Sequence, residues 1–121
     1  MLIFLIPVAL LVSCMSKPPK PKGIIPEDTM VLMLTDIHFL EGVFFSIQVA
    51  GMDTANLVTY KGYNTVFAKY KTTPEQFKKS WTFYMAHPEY SDPIYEKVVE
   101  NITILQTESV KKQKAAKKES N

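Results

Sequence analysis

The residues best equipped for chemistry are His38 and Glu41, three apart in Asp36-Ile37-His38-Phe39-Leu40-Glu41. On a helix, residues three apart are neighbours. With Met30 placed at 0° and each residue advanced by about 100°, Met33, Leu34, Ile37, Leu40 and Phe44 gather on one apolar face. Glu41 lands near the middle of that face, His38 on its edge, and Asp36 toward the polar side. A carboxylate among such side chains is expected to be buried and hydrogen-bonded: desolvation raises its pKa, and a charged imidazole beside it lowers it. Three roles stay open for the pair. It can be structural, bonding internally or to a tyrosine of another helix; it can line a groove and grip a peptide; or it can act as acid and base. The catalytic reading lacks a nucleophile, a metal set and an oxyanion donor, so no catalytic residue is assigned. With His38 and His87 the only histidines, zinc would need carboxylates at spacings that do not favour it; no metal or cofactor is expected. Asp36, Tyr60, Tyr63, Trp81 and Tyr84 are secondary candidates, although a stripe such as Tyr60, Tyr63, Phe67 and Tyr70 more often packs a core than offers a carbohydrate platform.

Cys14 is the lone thiol, which excludes a disulfide framework within one chain. It follows an apolar run, Leu2 to Val12, that as a helix covers only about 16 Å, half the core of a bilayer. The run suits a secretory signal, and Leu11-Val12-Ser13-Cys14 resembles the lipobox of bacterial lipoproteins. That resemblance implies cleavage after Ser13, a diacylglyceryl group on the thiol and acylation of the new amine, so that residues 1–13 are a signal peptide. More than one chain anchors stably where one is marginal. Residues 14–23, with three prolines and three lysines, form an extended cationic tether. Its lysines are either solvated or near anionic head groups, where each adds about 1 kcal/mol.

The rest must position the candidates. Residues 24–110 form the candidate domain, with six lysines against eleven acids, and residues 111–121 form a basic tail. Among 121 residues there is room for one small domain, no phosphate-cradling glycine motif, and a net charge of +2 too mild to indicate a nucleic-acid binder. Pro26-Glu27-Asp28 opens a first helix running to Val49, with Gly51 as its stop. A second is predicted from about Asn56 to Lys71. Thr73-Pro74-Glu75-Gln76 reads as cap, first-turn proline and capping box of a third, carrying Phe77, Trp81 and Tyr84 or Met85 inward until His87-Pro88. Asp92-Pro93 repeats the cap-plus-proline signal for a fourth, with Tyr95, Val98, Ile102 and Leu105 inward. Beyond Val110 the apolar pattern vanishes, leaving a fraying helix end or a disordered tail. The expected fold is all-α, a small bundle of about four helices behind a lipoprotein signal and flexible tether. Its fourteen aromatics are expected to supply much of the core.

Taken together, the lipobox, the lysine-proline tether, Ile25-Pro26-Glu27-Asp28-Thr29-Met30 and Leu34-Thr35-Asp36-Ile37-His38-Phe39-Leu40-Glu41 resemble the Bacteroidota lipoprotein family catalogued as a domain of unknown function, DUF4296. Tyr70, Thr73-Pro74-Glu75-Gln76-Phe77, Tyr84, Pro88-Glu89 and Ile94-Tyr95-Glu96-Lys97-Val98 fit as well, so the likeness spans about Cys14 to Leu105. It implies a helical lipoprotein of the cell envelope and brings no activity with it. Met15 after the cysteine, and no acidic run, favour the periplasmic face of an outer membrane.

The expected function is that of an adaptor, joined to membrane lipid through acylated Cys14 and docking an envelope protein or peptide through an aromatic and acidic groove. The alternatives are a hydrolase or transferase using Glu41 and His38, and a homo-oligomer meeting through Leu32, Phe39 and Val43 on the outer side of helix one. Nucleic acid is not expected as a partner.

Overall fold

A computed structural model describes residues 16–49 and 55–120; Cys14 and the lipobox lie outside the described residues. Four helices and no strands are present among them: α1 (Glu27–Val49), α2 (Ala55–Lys69), α3 (Pro74–Met85) and α4 (Pro88–Glu119). The all-α architecture follows the helical periodicity.

Paired residues give the directions. Lys97 meets Asp28 at 3.4 Å and Asn101 meets Thr35 at 3.4 Å, so α4 rises parallel to α1. Tyr63 meets Glu41 and Tyr70 meets Asp36, so α2 descends beside α1. Trp81 packs against Tyr95, and Tyr84 against Tyr90, so α3 descends beside α4. Thus α2 and α3 are two pieces of one returning leg between two ascending helices. The break lies at Lys71, a non-glycine residue with φ of 51°. There the Thr72 amide donates to the Phe67 carbonyl and the Lys71 amide to the Ala68 carbonyl, the paired bonds that close a helix on a left-handed residue.

The next helix starts where its cap predicts. Thr73 Oγ1 accepts from the Gln76 amide at 3.1 Å, with Pro74 at the first turn. The reciprocal half of the capping box is diverted: Gln76 Oε1 accepts from Thr72 Oγ1, and its Nε2 donates to the Gly23 carbonyl.

One boundary departs from expectation: α4 begins at Pro88, not at Asp92-Pro93, and Pro93 sits inside it. Burial of Tyr90 and Ser91 in its first turn holds the backbone helical through the second proline, against an intrinsic penalty of about 3 kcal/mol. Of the two states expected for the basic tail the helical one is found, and it runs unbroken to Glu119 although every residue from 103 to 120 is exposed.

The core is mostly aliphatic and methionine: Met30, Val31, Met33, Leu34 and Ile37 of α1, Val66 of α2, and Ile94 and Val98 of α4. Aromatics contribute less than their number led us to expect, with only Tyr84 and Tyr90 buried among the described residues. The inner line of α4 is Tyr90, Ile94 and Val98. Tyr95 and Ile102 are half-buried and Leu105 is exposed, so the inward face is rotated from the one predicted. By length and composition Glu27–Ser46 could cross a membrane, but its first half is the centre of the bundle. Leu32, Phe39 and Val43 do face outward.

The segment ahead of α1 has no helix or strand, in keeping with its prolines, and from Pro18 it is seated on the domain. Tyr90 Oη donates to the Pro18 carbonyl, Lys79 Nζ to the Lys22 carbonyl, and Tyr84 Oη to the Ile25 carbonyl. The Ile25 amide donates to Ser80 Oγ at 2.8 Å. Lys20 pairs with Glu27 at 2.8 Å, and both Lys17 and Lys20 lie over the Tyr90 ring. The Lys20 ammonium beside Glu27 lowers that carboxyl's pKa.

Candidate functional site

The buried face of α1 runs up to Ile37, and α3 explains why it stops there. Twelve residues long, α3 reaches only to the level of Phe77, which packs against Phe67 of α2 with centroids 5.4 Å apart. One turn higher, the same face of α1 opens between α2 and α4. Glu41 therefore lies on the predicted face but is not buried: its side chain is 49 % exposed.

Above Ile37 the surrounding side chains form a cleft of about 410 Å³. Leu34 and Ile37 form its apolar base, Phe77 and Trp81 come from α3, Tyr63 from α2, Tyr95 from α4, and His38 and Glu41 from α1. Tyr63 Oη donates to Glu41 Oε1 at 2.7 Å, and His38 Nδ1 lies 3.2 Å from Oε2. Both carboxylate oxygens are thus engaged from outside the cleft's floor, which fixes the group's orientation. Burial, and then the bond to Glu41, push the Tyr63 phenol up to about 12. The Tyr95 phenol is raised in the same direction by burial and by the Glu41 charge. Both rings present neutral phenols at ordinary pH, and the carboxylate is the site's one negative charge. The Trp81 ring stacks at 6.2 Å from Phe77 and meets Tyr95 edge-on at 6.2 Å.

Of the sequence candidates, His38, Glu41, Tyr63 and Trp81 come together here. Asp36, Tyr60 and Tyr84 do not. Asp36 faces the other side of α2, where it accepts from Lys69 Nζ at 2.7 Å and Tyr70 Oη at 2.8 Å. Tyr60 stands 69 % exposed, and Tyr84 is wholly buried in the core. Of the stripe that contains Tyr60, only Tyr60 faces solvent; Tyr63, Phe67 and Tyr70 pack half-buried against the core, and Tyr63 also lines the cleft. Phe77 and Tyr95 also line the cleft, although their spacing in the sequence marks them only as apolar-face residues. Their signal was the spacing of Phe77 to Trp81, four apart, and a polar-tipped ring at the edge of the α4 stripe.

A second, larger groove of about 550 Å³ lies on the far side of the seam between α1 and α4, and His38 borders both. It is walled by Phe39, Val43, Leu105 and Val110 and lacks a charged group. The smaller cleft has the convergent polar groups that make a recognition site. Among the described residues no three His, Cys, Asp or Glu side chains gather as a metal site.

Two ascending helices, a broken returning leg and an aromatic cleft at the break place the molecule among small all-helical domains. Within them it belongs to the family described as a domain of unknown function, DUF4296, whose model matches residues 21–108. Neither curated proteins nor solved structures return a match.

Proposed function

We propose that the chain is a lipid-anchored adaptor of the bacterial cell envelope, of Bacteroidota lipoprotein type, that docks a protein or peptide through the cleft around Glu41. The observation that carries this reading is the cleft's lining: four aromatic rings around one carboxylate held by Tyr63 and His38. Aromatic rings on a rigid scaffold are the usual anchors of recognition surfaces. The lipobox and the tether support attachment through Cys14, on the periplasmic face of the outer membrane.

The test joins anchor and cleft. The full chain, expressed with a photo-crosslinking residue at Tyr95, should take up labelled palmitate and yield one dominant crosslinked partner. Cys14→Ser should abolish the label, and Trp81→Ala, at a melting temperature showing it folded, should abolish the crosslink. A soluble, unlabelled precursor refutes the anchor. A crosslink indifferent to Trp81→Ala refutes the docking role.

A further inference from the structure

Four acidic residues lie on α1, and three have a lysine: Glu27 pairs with Lys20, Asp28 with Lys97 and Asp36 with Lys69. Glu41 has no lysine among the described residues; its partners are an imidazole and a phenol. It opens into a cavity that no lysine lines, whereas the cavity bordered by Asp36 also has Lys69 in its wall. Tyr63, Phe77, Trp81 and Tyr95 surround the same space, and aromatic faces carry the negative part of a quadrupole that attracts cations. A carboxylate held in place from two sides, an aromatic surround and no resident cation make a site of negative potential with an apolar wall.

We infer that the cleft receives the cationic head of a basic side chain, the ammonium of a lysine or the guanidinium of an arginine, presented by a peptide segment of the partner. The methylene stem lies against the rings while the head reaches Glu41, the way such side chains divide apolar and charged surroundings. A volume of about 410 Å³ falls within the range of small-ligand pockets, enough for one long side chain with its flanking backbone. This deepens the docking role proposed above and rests on it.

Trp81 is the chain's one tryptophan and lines the cleft, so its fluorescence reports occupancy directly. The probes are capped pentapeptides, Ala-Ala-Lys-Ala-Ala and the same peptide with norleucine or acetyl-lysine at the centre, titrated into the full chain in detergent. The titration is run at about pH 8, above the range in which an imidazole ordinarily carries its proton. The lysine peptide is expected to bind at least about tenfold more tightly than either neutral one. Glu41→Gln keeps an acceptor for Tyr63 while removing the charge, and should erase that preference without weakening the norleucine peptide. Equal binding of all three peptides by the unaltered chain overturns the cation site while leaving the docking role standing. An undiminished lysine preference in Glu41→Gln, or equal loss of every peptide, overturns the part given to Glu41. No response of Trp81 to any peptide at millimolar concentration overturns both readings.

Discussion

Two glycines in opposite surroundings give a quantitative test of how α1 meets α2. Gly62 lies on α2 facing Leu40. A Cβ added there would stand 2.5 Å from both δ-carbons of Leu40 and 3.0 Å from its Cγ. A Cβ at Gly42, on α1, would meet nothing within 4 Å. Both positions are helical, so alanine should gain about 1 kcal/mol of helix propensity at either. At Gly42 that gain stands alone, and Gly42→Ala should raise the melting temperature by about 4–8 °C, the usual response of a domain this size to 1 kcal/mol. At Gly62 the whole isobutyl group must move, since the contact reaches Cγ as well as the methyls. Overpacking of this kind costs about 1–3 kcal/mol, so Gly62→Ala should be neutral to about 2 kcal/mol destabilising, and the two variants should differ by about 1–3 kcal/mol. Thermal unfolding followed by circular dichroism measures both. Adding Leu40→Ala removes the clash, so the double variant should be more stable than the two single changes sum to, by a similar amount. Equal stabilisation by Gly42→Ala and Gly62→Ala would refute the close approach of the helices and with it the wall that carries Tyr63.

Two further outcomes follow from single bonds. Ser80→Ala deprives the buried Ile25 amide of its acceptor and should destabilise the domain by about 1–3 kcal/mol, with loss of hydrogen-exchange protection at Ile25 by nuclear magnetic resonance. The Tyr63 phenol, at about 12 against an ordinary 10, gives an alkaline dependence. Its folded pKa lies above the unfolded one, so its contribution is whole below pH 10 and is lost as pH rises toward about 12, at most about 2–3 kcal/mol. Ultraviolet difference titration should show several phenols ionising late, Tyr63 with Tyr70, Tyr84 and Tyr95, and Tyr63→Phe should reduce that late phase by one phenol.

Local chemistry made the third helix legible: Thr73, Pro74 and the spacing to Trp81 carry their meaning within a few residues. The start of α4 was not legible because Asp92-Pro93 is a better cap by residue type than His87-Pro88. What decides between them is Tyr90 in the core, a contact made across the chain. Glu41 shows the same division. The helical wheel puts it on the inward face, but its exposure depends on the length of α3, which no periodicity in α1 records. Phe77 and Tyr95 share the signature of core residues, because an aromatic that walls a cleft and one that fills a core have the same spacing. The polar partners were partly visible: a histidine and a glutamate three apart can be paired from sequence, whereas the Tyr63 bond, 22 residues away, needed the fold.

The seating of residues 18–25 gives the molecule a mechanical property. The segment is held at Pro18, Lys22, Gly23 and Ile25 in succession, with a bend at Gly23, where φ is +81°. Tension applied ahead of Ser16 first meets the pairs of Lys17 and Lys20 with Glu27 and the bonds at Pro18, Lys22 and Gly23. It then reaches Ile25, which is held by two hydrogen bonds and buried in the core. The outer bonds are exposed or half-buried and each joins a single pair of residues, so Ile25 is the point at which a pull begins to open the core of the four helices.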